Sequence, residues 1–122
     1  MNIDVRMQSA DLKVALDTYI KRRPRFALGR FTGKLGRVSV RVEDVPGAGD
    51  VPDASCRIRV ELLPIARTLR QEAVDRNSYV AIDLAIERIA RTFERELDLV
   101  HSLGTVQNPE SAASHSRKRR FN

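Results

Sequence analysis

The sequence has few of the residues on which enzymes and metal proteins depend. Among its 122 residues are one cysteine, two histidines and no tryptophan. His101 follows the last predicted helix and His115 lies in a polar tail, so neither is expected to be held in a pocket. The motifs H-E-x-x-H, G-x-S-x-G and G-x-x-x-x-G-K are absent, as are clusters of metal-ligating side chains. We therefore predict a protein that is not an enzyme and has no metal site, cofactor or small-molecule substrate.

Long apolar runs and pairs of cysteines are also missing. No apolar run approaches the ~20 residues of a membrane span, so no membrane partner is expected. Residues 1–7 alternate charged and apolar side chains, which is unlike a signal peptide. Cys56 cannot form an internal disulfide, and its position in an alternating segment predicts a buried thiol. Together these features predict a cytoplasmic location.

Acidic residues are missing from one long stretch. No acid occurs between Asp17 and Glu43, and the net charge of the whole chain is +6. A patch of one sign costs self-repulsion that a polyanionic partner would offset, and nucleic acid is the commonest such partner. The alternative is a solvated, arginine-rich face without a partner. The cations of this stretch are Lys21, Arg22, Arg23, Arg25, Arg30, Lys34, Arg37 and Arg41.

Four segments have the pattern of β-strands. Residues 2–7, 37–45 and 55–63 alternate apolar and polar side chains, which predicts strands with one buried and one exposed face. Pro64 is expected to end the third strand, and residues 67–74 predict a weaker fourth strand.

Two further segments have helical periodicity. The first follows Ser9, a predicted N-cap, and its apolar stripe ends at Phe26 or Ala27; Pro24 is expected to kink this helix or end it early. The glycine-rich segment after it predicts a flexible basic loop. The last helix begins after Asn77, its predicted cap. Its apolar stripe comprises Tyr79, Ile82, Ile86, Ile89, Phe93, Leu97 and Val100.

The element order is therefore β-α-β-β-β-α. This order predicts an α+β fold, a two-layer sandwich in which two helices pack on one face of a four-stranded sheet. We expect residues 1–103 to form this domain. Residues 104–122 lack apolar periodicity and end in a basic cluster, which predicts a disordered tail.

Cations in the acid-free stretch are candidate phosphate contacts. In the first helix, four of them have only Asp17 as an acid within one turn, so binding an anion would relieve their mutual repulsion. Three more lie in or just after the glycine-rich segment, where the backbone could adapt to an RNA surface. The RNA-binding residues predicted here are Lys21, Arg22, Arg23, Arg25, Arg30, Lys34 and Arg37.

The last helix carries a second candidate group. Its three arginines share one face and could extend a basic surface along a phosphate backbone. They could equally be paired within the helix, because Glu87 and Asp98 lie at suitable spacings. The three residues are Arg88, Arg91 and Arg95.

The outer face of the sheet and the aromatic residues provide fewer candidate RNA contacts. Cross-strand ion pairs are expected to account for the outward arginines there, since acids alternate with them. Phe31, between Arg30 and Lys34, is the one aromatic expected to be available for stacking on a base. Without a platform of aromatics, recognition of RNA by backbone and shape is favoured. The outward arginines are Arg41, Arg57, Arg59 and Arg70.

Four segments carry a resemblance to a known family. They are Met1–Val5, Arg22–Leu28, Val38–Asp44 and, most specifically, Ser78–Asp83 with its Tyr-x-Ala-Ile-Asp block. These segments resemble the ribosome hibernation-promoting factors, also called ribosome-associated inhibitor A or sigma-54 modulation protein. The similarity covers about residues 1–100 and implies the same β-α-β-β-β-α fold. The chain resembles a short form of the family, because 122 residues leave no room for the C-terminal dimerisation domain of the long forms.

The resemblance also implies a partner and a role. It implies binding to the small ribosomal subunit and its ribosomal RNA, in the channel used by messenger RNA and by transfer RNA. Occupying that channel would block translation and protect idle ribosomes, a task of stationary phase and stress. Arg23, Arg88, Arg91 and Arg95 fall on positions that are usually basic in the family.

Two other functions stay open at this stage. The α-β-β-β-α order of double-stranded-RNA-binding modules is contained in this one, although those modules have lysines where this chain has Asn77 and Ser78. A protein-binding regulator of transcription, as one family name suggests, would bind its partner without strong dependence on salt.

Overall fold

The chain forms the predicted order of elements. The structure, a computed structural model, describes residues 2–8 and 14–106, with the backbone alone for residues 102–106. The elements are β1 (Asn2–Gln8), α1 (Val14–Leu28), a 3-10 helix (Gly29–Lys34), β2 (Leu35–Val45), β3 (Asp53–Leu62), β4 (Arg67–Asp75) and α2 (Ser78–Val106). The predicted α+β fold, with a four-stranded sheet and two helices on one face, is confirmed.

The central strands β2 and β3 form an apolar face of the sheet. The strand order is β1-β2-β3-β4; β1 runs parallel to β2, and the other pairs are antiparallel. The alternating apolar residues of β2 lie opposite those of β3, so they form continuous rows across the sheet. The buried residues of these rows are Val38, Val40, Val42, Cys56, Ile58 and Val60.

The chain divides into two compact units, Met1–Thr92 and Phe93–Asn122, with the boundary inside α2. In the first unit, α2 buries Ala81, Ile82, Ala85, Ile86 and Ile89, and α1 buries Leu16, Ile20, Pro24 and Leu28. The buried positions of α1 recur every four residues, and Pro24 occupies one of them. The helix continues through Pro24 to Leu28, so an early end at the proline is wrong.

The start of α2 is capped as predicted. The Asn77 side-chain oxygen accepts hydrogen bonds from the backbone N–H of Tyr79 at 2.8 Å and of Val80 at 3.4 Å. Tyr79 itself does not belong to the core, because 37% of it is exposed. Its ring meets the ring of Tyr19 edge-on, with the centroids 4.9 Å apart.

The glycine-rich segment is not a flexible loop. It forms the 3-10 helix Gly29–Lys34, in which the Thr32 hydroxyl donates to the Gly29 carbonyl at 2.5 Å. This tight turn directs the Phe31 ring inward, and only 8% of the residue is exposed. The Arg30 guanidinium lies 4.6 Å from the centroid of the same ring.

The second unit begins at Phe93, and α2 continues within it to Val106, beyond the residue where the predicted domain ends. The predicted Ser9 cap and residues 107–122 of the predicted tail, His115 included, lie outside the described residues. No helix in the described part of the chain is both long and apolar enough to span a bilayer.

Candidate nucleic-acid interface

A basic surface with one exposed aromatic ring lies along α1. Tyr19, Arg22, Arg23, Arg25 and Phe26 line a hollow of about 610 Å³, which we call the α1 hollow. None of these five side chains is acidic, and Phe26 is 86% exposed. A cationic hollow with an accessible ring combines the two features that hold single-stranded nucleic acid, which are charge for the backbone and a surface for a base.

The exposed ring is not the one that the sequence predicts. The structure buries Phe31, the predicted stacking residue, and exposes Phe26, which was assigned to the apolar stripe of the helix. The reason is the phase of α1, since Pro24 and Leu28 continue its buried row and leave Phe26 on the opposite side. The four-residue spacing of that row is the sequence signal that identifies Phe26.

Two cations of α1 have acidic partners. Lys21 Nζ lies 3.0 Å from Asp17 Oδ2, which is the pair that the i,i+4 spacing predicts. Arg23 Nε lies 3.1 Å from Asp83 Oδ1 of α2, and the Arg23 side chain is 27% exposed. Arg22 is exposed and has no ion pair or hydrogen bond with the described residues. It therefore presents its full charge to a ligand.

Asp83 links the two helices beneath the hollow. Its carboxylate accepts a hydrogen bond from the Tyr19 hydroxyl in addition to the one from Arg23. Burial, and then the hydrogen bond to Asp83, raise the pKa of Tyr19 above its ordinary value, so the phenol stays a donor. Neither Tyr19 nor Asp83 was among the predicted site residues, although Asp83 closes the Tyr-x-Ala-Ile-Asp block.

The remaining cations of the acid-free stretch lie elsewhere. Arg30 and Lys34 are exposed on the 3-10 helix. Arg37 lies on β2 at a position that alternates with the buried valines, so it faces away from the helices. The eight cations therefore do not form one patch, because the fold distributes them over α1, the 3-10 helix and the outer face of the sheet.

The arginines of α2 have different surroundings. Arg88 donates to the backbone carbonyl of Glu72 at 2.7 Å, and Arg91 Nη2 lies 3.1 Å from Glu87 Oε1. The intrahelical pairing considered for Arg91 is thus present. Arg95 belongs to the second unit, where it is exposed, and it forms no ion pair with Asp98.

The sheet surface that faces away from the helices carries a second group of arginines. We call this the open sheet face, and it has a trough of about 840 Å³. One corner is internally paired, since Arg57 lies 3.5 Å from Glu43 and 3.2 Å from Glu72. The polar side chains on this face of the trough are Asp4, Arg6, Ser39, Arg41, Arg57, Arg59, Arg70 and Glu72.

The expectation that ion pairs account for all of these arginines is wrong. Arg41, Arg59 and Arg70 have no ion pair or hydrogen bond with any residue that the structure describes. Nor does any group of three histidine, cysteine or carboxylate side chains in the described chain form a possible metal site. The chemistry available at both surfaces is therefore binding of anions by guanidinium groups.

Comparison with solved structures supports the fold. A ribosomal subunit interface protein from Coxiella burnetii superposes with a TM-score of 0.62 at 15% identity, over 80% of this chain and 99% of that one. The N-terminal domain of Thermus thermophilus Protein Y gives 0.57 at 23% identity, over 78% and 98%. At these identities the likeness shows the fold alone.

Comparison with protein families identifies the chain. A search of curated protein sequences gives no significant match. The model of the family described as sigma 54 modulation protein / S30EA ribosomal protein matches residues 3–99, most of the chain. The protein therefore belongs to the sigma 54 modulation protein / S30EA ribosomal protein family, whose members are ribosome-binding factors and not enzymes.

Proposed function

We propose that this protein is a translation inhibitor of the hibernation-factor type, which binds ribosomal RNA of the small subunit in the channel of messenger and transfer RNA. The observation that carries the proposal is the α1 hollow. Its lining residues include three arginines and the exposed Phe26 ring, and none of them is acidic. The proposal also places the protein in the cytoplasm and its action in stationary phase and stress. The proposed contacts are Lys21, Arg22, Arg23, Arg25, Arg30, Lys34, Arg37, Arg88, Arg91 and Arg95.

Similar structures support the site of action. One of them is a ribosomal subunit interface protein, and this chain spans 99% of its length. A protein at the subunit interface lies next to the path of messenger and transfer RNA, so bound there it would exclude both. The ribosomal partner follows from the family, and the position on the small subunit is the part that we propose.

The α1 hollow would hold RNA by two kinds of contact. Arg22 and Arg25 would bind phosphates, because a guanidinium presents several donors in a plane that matches a phosphate. Phe26 would stack on an unpaired base, which is worth about 1–3 kcal/mol per base. Asp83 holds Arg23 and Tyr19 beneath these contacts, so the hollow is formed before RNA arrives.

Charge reversal on α1 tests the proposal. The variant Arg22→Glu/Arg25→Glu should co-sediment with purified small subunits at least tenfold more weakly than the parent at 0.1 M salt. If about five to eight phosphates are contacted, the parent itself should show a log–log salt slope of about −4 to −6. The matched control is Arg67→Glu/Arg76→Glu, which makes the same charge change at exposed positions away from α1 and should keep most of the affinity.

The stacking contact has a separate test. Phe26→Ala should weaken binding to small subunits about 5- to 150-fold, the equivalent of the stacking energy, without changing the salt slope. Ile65→Ala removes apolar surface from another exposed position and should have no effect. Equal binding by the parent and Phe26→Ala would remove the ring from the proposed site.

The alternatives predict other results in the same experiments. A double-stranded-RNA-binding module would bind free duplex RNA as tightly as small subunits. A protein-binding regulator of transcription would retain a protein partner at high salt and would not co-sediment with small subunits. Either result would overturn the proposal.

A further inference from the structure

The strand register sets arginine opposite arginine on the open sheet face. Arg6 lies opposite Arg41, and Arg41 lies opposite Arg57, along one row. In the next row Arg59 lies opposite Arg70. Directly opposed side chains on a sheet have Cβ atoms about 4.5–5.5 Å apart, so like charges there are destabilising.

The acids of this face leave three arginines of those rows without an ion pair. Glu43 and Glu72 both lie beside Arg57, and Asp4 lies 3.8 Å from Arg6. The Glu61 carboxylate accepts a weak hydrogen bond from the Arg37 backbone N–H at 3.4 Å. It does so at Gly36, where an added Cβ would collide with the Glu61 side chain. These acids therefore pair with Arg6 and Arg57 or with a backbone N–H, and none of them forms an ion pair with Arg41, Arg59 or Arg70.

The fold therefore keeps three unpaired guanidinium groups close together, and their mutual repulsion destabilises the folded protein. Arg41, Arg59 and Arg70 line the same trough of about 840 Å³, whose lining contains five arginines and two carboxylates. Polar or acidic residues at these positions would remove the repulsion without disturbing the buried face, because alternate residues point to opposite sides. An anionic ligand in the trough would offset the repulsion instead.

We propose that the open sheet face binds the phosphate backbone of RNA, as a second contact surface separate from the α1 hollow. The helices cover the other face of the sheet, so one RNA segment on α1 and another on the open sheet face would lie on opposite sides of the sheet. This goes beyond the function proposed above and does not depend on the ribosome being the source of the RNA.

The side chains of the face favour a nucleic-acid backbone over an acidic protein. Every cation that lines the trough is an arginine, the side chain whose planar donors match phosphate oxygens. None of the four strands in the described residues contains an aromatic residue, so the face lacks the hydrophobic anchors that are usual in protein interfaces and has no aromatic platform for bases. Binding there should accordingly be independent of base sequence.

The test compares two double variants with the same change of charge. Arg59→Gln/Arg70→Gln removes the opposed pair, and Arg67→Gln/Arg76→Gln removes two exposed arginines outside the trough. Fluorescence anisotropy would measure binding of a 20-nucleotide poly(U) RNA between 50 and 200 mM salt. The first variant should lower the log–log salt slope by about 1.4, the loss of two phosphate contacts, and weaken binding roughly 10- to 30-fold at 0.1 M salt. The control should lose less than half as much.

A second measurement locates the contact directly. On addition of the same RNA, the NMR signals of the Nε–Hε groups of Arg41, Arg59 and Arg70 should shift, and they should shift equally in the Arg22→Glu/Arg25→Glu protein. Equal losses in the two glutamine variants, absent shifts, or tighter binding of poly-glutamate than of poly(U) would overturn the proposal. Loss of small-subunit binding by the α1 variant tests the proposed function separately, so the two can fail independently.

Discussion

The two basic surfaces, α1 and the open sheet face, differ in how their cations are paired with acids. On α1, Lys21 lies 3.0 Å from Asp17 and Arg23 lies 3.1 Å from Asp83, so both of these cations have an acid beside them. On the open sheet face, Arg59 and Arg70 oppose each other, and the nearby acids are engaged elsewhere. The helix, which is the obvious basic segment in the sequence, thus has acids beside Lys21 and Arg23, whereas the opposed arginines Arg59 and Arg70 have none among the described residues.

The two surfaces differ in charge pairing because sequence spacing determines the neighbours of a residue on a helix, whereas strand register determines them in a sheet. On a helix the neighbours of a residue are three and four positions away, so a stretch without acids gives clustered cations unless another element supplies a carboxylate. Asp83 does so here from α2. In a sheet the neighbours are set by strand register, and arginines far apart in sequence become opposed. A gap in the acids therefore identifies a helical patch, but it misses a patch made by a sheet.

Removal of the acid beneath α1 should give the largest effect. In Asp83→Ala, the Tyr19 hydroxyl and the Arg23 guanidinium lose a shared acceptor. Leaving such partly buried donors unpaired costs about 1–3 kcal/mol, so the free energy of unfolding in urea should fall by that amount. Asp50→Ala changes an exposed acid of the β2–β3 loop and should have little effect. Equal stabilities would mean that α1 does not depend on its acid, and the contrast with the sheet would vanish.

Charge reversal on the sheet should have the opposite sign. Arg70→Glu turns the opposed Arg59–Arg70 pair into an ion pair, which should raise the free energy of unfolding by about 0.5–1 kcal/mol. The gain should shrink at 1 M salt, where exposed charges are screened within about 3 Å. Arg76→Glu makes the same charge change without an opposed arginine and serves as the control. A loss of stability in Arg70→Glu alone would show that the arginine pair is not under repulsion.

These two surfaces also show how much the sequence could predict. Alternation in β2 and β3 correctly predicts the buried face, and Asn77 is correctly predicted as the cap. The spacing in α2 correctly predicts the buried Ile82, Ile86, Ile89 and Phe93, but it is wrong for Tyr79 and Val100, which are exposed. Alternation has a period of two, so it predicts the face on which a side chain lies but not the residue opposite it on the next strand. The sequence therefore does not predict that Arg59 lies opposite Arg70.

The errors on α1 have a different origin. Pro24 is expected to kink α1 or end it early, whereas the helix continues to Leu28 with Pro24 in its buried row, which leaves Phe26 exposed. Glycines in residues 29–36 indicated a loop, but their low steric demand is equally compatible with the 3-10 turn that buries Phe31. The pairing of Arg23 with Asp83 spans 60 positions, and no local pattern predicts it.

The paired corner around Arg57 can be distinguished from the unpaired Arg41, Arg59 and Arg70 by titration. The buried Ser55 hydroxyl donates to Glu72 at 2.9 Å, and this bond and then Arg57 lower the pKa of Glu72 below its ordinary value of 4.5. A lowered pKa adds stability that is present above pH 4.5 and is lost as the pH falls through the pKa of the folded protein. Ser55→Ala should therefore move the NMR titration of Glu72 upward. Ser39→Ala on the same face should leave it unchanged, and an equal upward shift in both variants would refute the role of the hydrogen bond.

The alkylation rate of Cys56 is expected to change least, and it serves as a folding control for the two arginine double variants. Its thiol is fully buried between the sheet and the helices, and burial raises its pKa to about 12. At pH 8 the thiolate fraction of the folded protein should be about a thousandfold lower than that of the unfolded chain, so alkylation by iodoacetamide should be slow. Because the substituted arginines lie on the surface, Arg22→Glu/Arg25→Glu and Arg59→Gln/Arg70→Gln should react as slowly as the parent. Weak RNA binding combined with slow alkylation then reports a lost contact, whereas fast alkylation in either variant would attribute the loss to unfolding and remove its support for that surface.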